Sequence, residues 1–563
     1  PDVSTFVAYV APTDLRAVAA VPGVVLVSEI LAPTMSRTAE TAPASRAVEA
    51  TSTASTTRAA CAPTASLADT QLKAAIARAG AGVNGAGIKI GVVSDSYDRD
   101  KSVAATAAQD VASGNLPGIG NPCGFTTPVQ VLADNTPDAN HPVDEGRAML
   151  QLVHKVAPGA TLMFATGWVG GQSGMADNIR ALQAAGANVI VDDLAWDDET
   201  MFQDGIVAKA VAEVTALGTT YLSSVGNSNS IVGGRDVSSI ELPAFTMTSC
   251  PAPVASEVGV PANSCLNFAP TGTSNTAWYT LAKGAGVKIL MNYSEPMFGV
   301  TDDISLYLLD NSETTILASS TQSSIGPDGT GEPVQVFYYQ NATGAPVTVK
   351  LAMSRVAGSG TPRTKVIVAG ATGIVDAQYT TSSGSMTVGP TVFGHTGSTA
   401  VFSVAATSGL AAGTTPESFS SRGPVTHYWG PFTTLDAPAS AIPPQVIAKP
   451  DFTATDRDCT TFFTRVWPDP SCPYLLLGTS AAAPNAAGVA ALVLSQNPKL
   501  TPAQVGARLA STATPMSGGS VASTGAGLLN AFAALGSPLP VQAQVPVNGC
   551  VLVPKAIPRR GKR

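Results

Sequence analysis

Ile88-Lys89-Ile90-Gly91-Val92-Val93, running on into Ser94-Asp95-Ser96, is apolar at almost every strand position. A strand with one wet face alternates apolar and polar residues, so a nearly unbroken apolar run needs cover on both faces, as in a parallel sheet between helices. The surrounding sequence has the same rhythm. A helix is predicted over 67–80, and another after Asp144, where Met149, Leu152, Val153 and Val156 recur at i, i+3, i+4 and i+7. Strands at 160–164, 187–191 and 219–224 alternate with helices at 174–186 and 203–217, which predicts an α/β fold with a parallel sheet flanked by helices.

The rhythm breaks at about 240–392. Short alternating strands at 287–292, 304–309, 334–339 and 347–353, separated by Gly, Asn and Asp turns, predict an inserted all-β sandwich. The insert carries the sequons Asn292-Tyr293-Ser294 and Asn341-Ala342-Thr343, which matter only in a glycosylating host. The α/β pattern resumes at 399–405 and ends with a helix from Ser480. The expected organisation is a strand–helix–strand piece at 1–30, a flexible Ala/Ser/Thr/Pro linker at 31–66, an α/β domain from 67–239 and 393–535, the insert at 240–392, and a tail at 536–563.

Among the 563 residues only 12% are charged, about half the usual share, and the net charge is −8. That balance offers no basic footprint for nucleic acid. No run of 18 apolar residues occurs, so no membrane-spanning helix is expected, and the chain opens without a charged-then-apolar leader. Seven cysteines occur without a CxxC. Cys250/Cys265 and Cys459/Cys472 each bracket a short loop and read as local disulfides, leaving Cys61, Cys123 and Cys550. This cysteine usage, with the low charge, fits a secreted or periplasmic protein.

The segment richest in chemistry is Gly478-Thr479-Ser480-Ala481-Ala482-Ala483-Pro484. It puts a hydroxyl at the start of a helix, where free amides face a developing negative charge. Pro484 is expected in the first turn, where its missing N–H does little harm. This segment resembles the nucleophile motif of the subtilase family of serine peptidases. Three more segments follow in subtilase order: Val92-Val93-Ser94-Asp95-Ser96 resembles the strand ending in the catalytic Asp, Ser224-Val225-Gly226-Asn227-Ser228 the loop whose Asn completes the oxyanion hole, and Ser418–Pro424 with Lys449-Pro450-Asp451 the stretch leading to the nucleophile.

The resemblance implies a subtilisin-like fold and a secreted, monomeric endopeptidase acting on polypeptides. It requires no cofactor, and Ca²⁺ at Asp197, Asp198 and Glu199 is a lesser expectation beside a solvated acidic loop. Where subtilases place a histidine, this chain has Glu145 within Asp144-Glu145-Gly146-Arg147-Ala148-Met149. Its spacing to Ala157-Pro158 is similar to that of sedolisins, which use a Ser-Glu-Asp triad, although Met149 stands where sedolisins have Asp and Asn227 where they have the oxyanion Asp. The resemblance thus implies Ser480 as nucleophile, Glu145 as general acid/base, Asp95 as its carboxylate partner and Asn227 as oxyanion donor. It further implies that Asp193, Leu194, Ala195 and Trp196 line the substrate, with Asp193 bordering the pocket for the residue before the cut, and that residues 1–30 resemble the end of a pro-domain.

Two carboxyls in a partly buried cleft share a proton, which raises one of them and favours activity at acidic pH. The rivals are a catalytically silent binding protein on this scaffold and a conventional triad using His141. His154 lies nine positions after Glu145, about 180° round the helix. His395 and His427 are expected in surface or capping roles.

Overall fold

The computed structural model of the chain describes residues 10–22, 24, 27, 33–35, 61–135, 142–326, 329–370, 373–434 and 437–536. The predicted strands at 6–10 and 24–27 lie largely outside them, as do His141, Cys550 and the tail after 536. Seven strands form the central sheet: β1 Lys89–Ser94, β2 Gln130–Ala133, β3 Thr161–Thr166, β4 Val189–Asp192, β5 Thr220–Ser224, β6 Phe402–Ser408 and β7 Phe452–Asp456. Their spatial order is β7-β6-β5-β4-β1-β3-β2, and every pairing is parallel.

Side-chain alternation explains why these strands read as apolar runs. Ile90, Val92, Leu162, Phe164, Val189 and Val191 face one core, while Val93, Met163, Ala165 and Ile190 face another. The first core is covered by α1 (Glu145–Val156) and α4 (Thr479–Gln496), the second by α2 (Gly171–Ala184) and α3 (Ile206–Ala216). All four periodic positions of α1 are fully buried. Small residues let α1 and α4 pack closely: a Cβ on Gly488 would lie 2.6 Å from that of Val156.

Three local expectations need correction. The helix at 67–80 is two helices, Leu67–Gln71 and Ala74–Ala81, separated where Lys73 takes a left-handed φ of 58°. Pro484 is the sixth residue of α4 rather than a first-turn residue, so it removes the N–H that would have bonded the Ser480 carbonyl. Part of the predicted linker is ordered: Thr34–Met35 form a strand, and residues 64 and 65 bond Asn115 Oδ1 and the Ser471 carbonyl through their amides.

Between β5 and β6 the chain builds two antiparallel sheets. Gly286–Tyr293 is central to one and Val347–Ala357 to the other, and both sheets contribute to a shared core of Ile289, Met291, Val368, Tyr279, Leu306 and Leu351. Neither sequon asparagine is at the surface. Asn341 is fully buried and its Nδ2 donates to three backbone carbonyls, while Asn292 is fully buried with its Oδ1 accepting from Met201 N. Disulfides join Cys61–Cys123, Cys250–Cys265 and Cys459–Cys472. No helix among the described residues is long and apolar enough to cross a membrane.

Candidate active site

The carboxyl ends of β1, β4 and β5 meet the N-termini of α1 and α4. In parallel α/β sheets this is where ligands sit. Ser480 is the second residue of α4 and is fully buried. Before it, Gly478 takes φ 108°, which a side chain would resist, and its N–H is held by Asp456 Oδ1 at 2.7 Å. Asn227 follows β5. Its Oδ1 accepts from Thr479 N and Oγ1 at 3.1 and 2.9 Å, an arrangement that assigns the other amide atom as Nδ2. Nδ2 has no protein acceptor, so a donor stands free beside the start of α4. The loop carrying it is pinned from behind, since Ser421 N bonds the Gly226 carbonyl and Ser421 Oγ takes Ser228 N.

Glu145 is the first residue of α1 and is fully buried. The turn into α1 is fixed by two acids. Asp95 accepts from Val143 N at 2.7 Å, Ser96 Oγ at 2.7 Å and Gly146 N at 3.3 Å. Asp144, with a left-handed φ of 59°, accepts from Arg99 N at 2.7 Å and pairs with Arg147 Nη2 at 3.1 Å. Burial raises the Asp95 carboxyl against the pull of these hydrogen bonds.

The sequence paired Glu145 with Asp95 and set Asp193 at a substrate pocket. The structure brings a further fully buried carboxyl, Asp193, to this end of the sheet, with neither of its oxygens nor Ser480 Oγ in a hydrogen bond among the described residues. Burial pushes it well above the ordinary carboxylate range, the Glu145 charge adds to the rise, and the Ser94 and Ser480 hydroxyls oppose it. Alternation along β4 accounts for the direction. Val189 and Val191 face the α1/α4 core, and Asp193 continues that series; Ile190 faces the α2/α3 core, and Asp192 continues the other. Ser94 continues the Ile90–Val92 series of β1 and so reaches the same spot.

The other predicted substrate residues divide. Leu194–Ala195 form an edge strand that pairs antiparallel with Thr34–Met35, Thr34 opposite Ala195 and Met35 opposite Leu194. Trp196 is fully buried, its Nε1 3.2 Å from Met175 Sδ, and presents nothing to a ligand.

The acidic run 197–199 is neither solvated nor gathered round one point. Asp197 pairs with Lys288, and the Asp198 carboxyl is raised to about 6, chiefly by burial. Glu199 contacts His395 Nδ1 at 2.9 Å. No cluster suited to a metal ion occurs among the described residues.

The described histidines are not at the surface, contrary to expectation. His154 packs edge-on against Phe125, and burial lowers it to about 4. His427 lies 3.9 Å from Asp204. His395 sits between two acids, with Nε2 3.2 Å from Asp192 Oδ1. Both nitrogens face carboxylates, so both carry protons. Burial alone would lower this imidazole, but Glu199 and Asp192 outweigh it and raise it to about 10. This fully buried cation ties the end of β4 to the loop behind the edge strand, a support with no local signature in the sequence.

A family model described as the subtilase family matches residues 130–532. No curated protein sequence matches the chain. Among solved structures, the CspB protease of Clostridium perfringens is 12% identical with a TM-score of 0.47, covering 83% of this chain and 96% of its own. MycP1 from Mycobacterium smegmatis is 13% identical with a TM-score of 0.34, covering 89% and 94%. Fervidolysin from Fervidobacterium pennivorans, described as a keratinolytic enzyme related to subtilisin, is 15% identical with a TM-score of 0.35, covering 84% and 46%.

Proposed function

The chain belongs to the subtilase family, whose members are serine endopeptidases, and on that premise we propose that it cuts peptide bonds with Ser480 as nucleophile and a Glu145–Asp193 carboxyl pair in the place of histidine. The observation carrying this reading is the fully buried Asp193 carboxyl at the end of β4, raised by burial and by the Glu145 charge and opposed by the Ser94 and Ser480 hydroxyls. Two facing acids out of water hold one proton between them, which leaves one ionised oxygen as a base.

The pair takes the Ser480 proton as Oγ bonds the substrate carbonyl carbon. The Asn227 amide and the free N–H groups at the start of α4 stabilise the oxyanion. The proton then passes to the leaving amine as the C–N bond breaks. Water deacylates the enzyme by the same relay in reverse order. Asp95 acts from behind, holding the backbone that aims Glu145. The edge Leu194–Ala195 takes substrate as an added strand, and the seating of Thr34–Met35 there supports an N-terminal segment that competes with substrate.

A base made of acids works where one proton is shared, so turnover is favoured at acidic pH. The three disulfides suit a secreted or periplasmic enzyme. The test is a cleavage profile on synthetic peptides across pH 3–9, with fluorophosphonate labelling located by mass spectrometry. Labelling of Ser480 with a rate maximum below neutrality supports the reading; a maximum at or above pH 8 refutes the carboxyl pair.

A further inference from the structure

An extended segment already lies on the edge strand beside the nucleophile, so the structure displays the contacts that a bound peptide strand makes. Thr34 faces Ala195 and Met35 faces Leu194 in an antiparallel register, one position short of Asp193. On the reading of Ser480 as nucleophile, we take a substrate residue opposite Asp193 as the one whose carbonyl is attacked. Counting back, the residue opposite Ala195 is the third before the cut.

The side chain at that position does not hang in solvent. Thr34 Oγ1 donates to Asp197 Oδ1 at 3.1 Å and accepts from Lys288 Nζ. Lys288 and Asp197 are themselves ion-paired, with side chains only 26% and 10% exposed. Asp197 belongs to the loop that follows the edge strand, and Lys288 to the strand Gly286–Tyr293 of the inserted sheets. The pair offers one strong donor and one strong acceptor a hydroxyl's width apart. A hydroxyl satisfies both at once, whereas a methyl satisfies neither and leaves a half-buried ion pair poorly solvated.

We propose that Lys288 and Asp197 form a subsite that selects a threonine or serine at the third residue before the scissile bond, so that the β insert sets part of the specificity. The proposal rests on the reading of Ser480 as nucleophile but not on the identity of its base. It makes the insert a component of the cleft rather than an appendage.

The test uses the full-length chain and internally quenched peptides with mixed flanking residues, identical except for Thr, Ser, Val or Ala at the third position, with cut sites located by mass spectrometry. Valine matches threonine in shape without the hydroxyl, so the Thr/Val ratio of kcat/KM isolates the contact. Ratios within one enzyme cancel its active fraction and any competition from the N-terminal segment. A hydrogen bond to charged groups at a partly exposed site predicts a Thr/Val ratio of about 10. In Lys288→Met the ratio falls to within about twofold of unity by the same reasoning. Equal use of Thr and Val by the wild type, or a preference that survives Lys288→Met, overturns the subsite and leaves the nucleophile standing. A wild type that cuts no peptide overturns both.

Discussion

Exchanging the two facing carboxyls for amides, singly and together, separates a shared base from two independent residues. Glu145→Gln and Asp193→Asn keep the shape and hydrogen-bonding capacity of the site but remove the exchangeable proton. General acid–base catalysis contributes about 10²–10⁴-fold. Both carboxyls are fully buried, so water cannot readily replace them, and the middle of that range, about 10³ in kcat/KM, is expected for each single variant. If the two act as one unit, the double variant loses about the same 10³ rather than the product of the two losses. The assay is kcat/KM on a fluorogenic peptide over pH 3–9, normalised to Ser480 titrated by fluorophosphonate.

Stability gives an independent reading on Asp193. Its carboxyl is raised in the folded state, so the folded chain holds this proton where the unfolded chain has released it. The contribution to stability therefore falls as pH rises from the unfolded carboxylate range through the raised folded value. Asp193→Asn removes that loss. The variant melts above the wild type at pH 7, and the gap narrows toward pH 4. Multiplying activity losses, or a Glu145→Gln enzyme within tenfold of wild type, would refute the shared base.

Asn227→Ala lowers kcat by about 10²–10³ with little change in KM, since the free Nδ2 is suited to a charge that exists only in the transition state; steady-state kinetics check it. His395→Gln strands two buried carboxylates and costs about 3–5 kcal/mol, read by urea unfolding at pH 6. With His395 raised from 6.5 to about 10, the stability it confers is complete below pH 6.5 and is lost as pH climbs toward 10, so the wild type shows a downward slope over that range that the variant lacks. Cys61→Ser opens a loop of 62 residues and lowers unfolding free energy by about 4 kcal/mol in denaturant titration, on the chain-entropy account.

The scaffold was largely legible because buried parallel strands and amphipathic helices carry their packing in local periodicity: the run at 88–93 is β1, and the four apolar positions of α1 are all buried. Ser480, Glu145 and Asn227 stand out through short motifs at chain turns. The partner of Glu145 differs between the sequence reading and the proposal because either of two acids, Asp95 or Asp193, could face it, and motif order favours the former. Period-two alternation from Val189 and Val191 was the available clue to Asp193. The break at Lys73, a backbone choice without a glycine, has no comparable signal. Nor does the His395 clamp, whose three charges come from positions up to 203 residues apart.

The burial of the two sequon asparagines bears on how the protein is made. Asn341 spends its Nδ2 on the carbonyls of Leu281, Ala282 and Ala345, and a sugar on that nitrogen would have no room once the sheets close. Eukaryotic secretory hosts attach such sugars to the nascent chain before it folds. Production there would yield a population blocked from closing its sheets, which Asn341→Gln would not rescue cleanly because the amide would sit one methylene too far out. Thr343→Ala removes the acceptor signal while keeping Asn341, at the loss of the Thr343 hydroxyl's bonds to Asn341 Oδ1 and to the Ala345 carbonyl and amide.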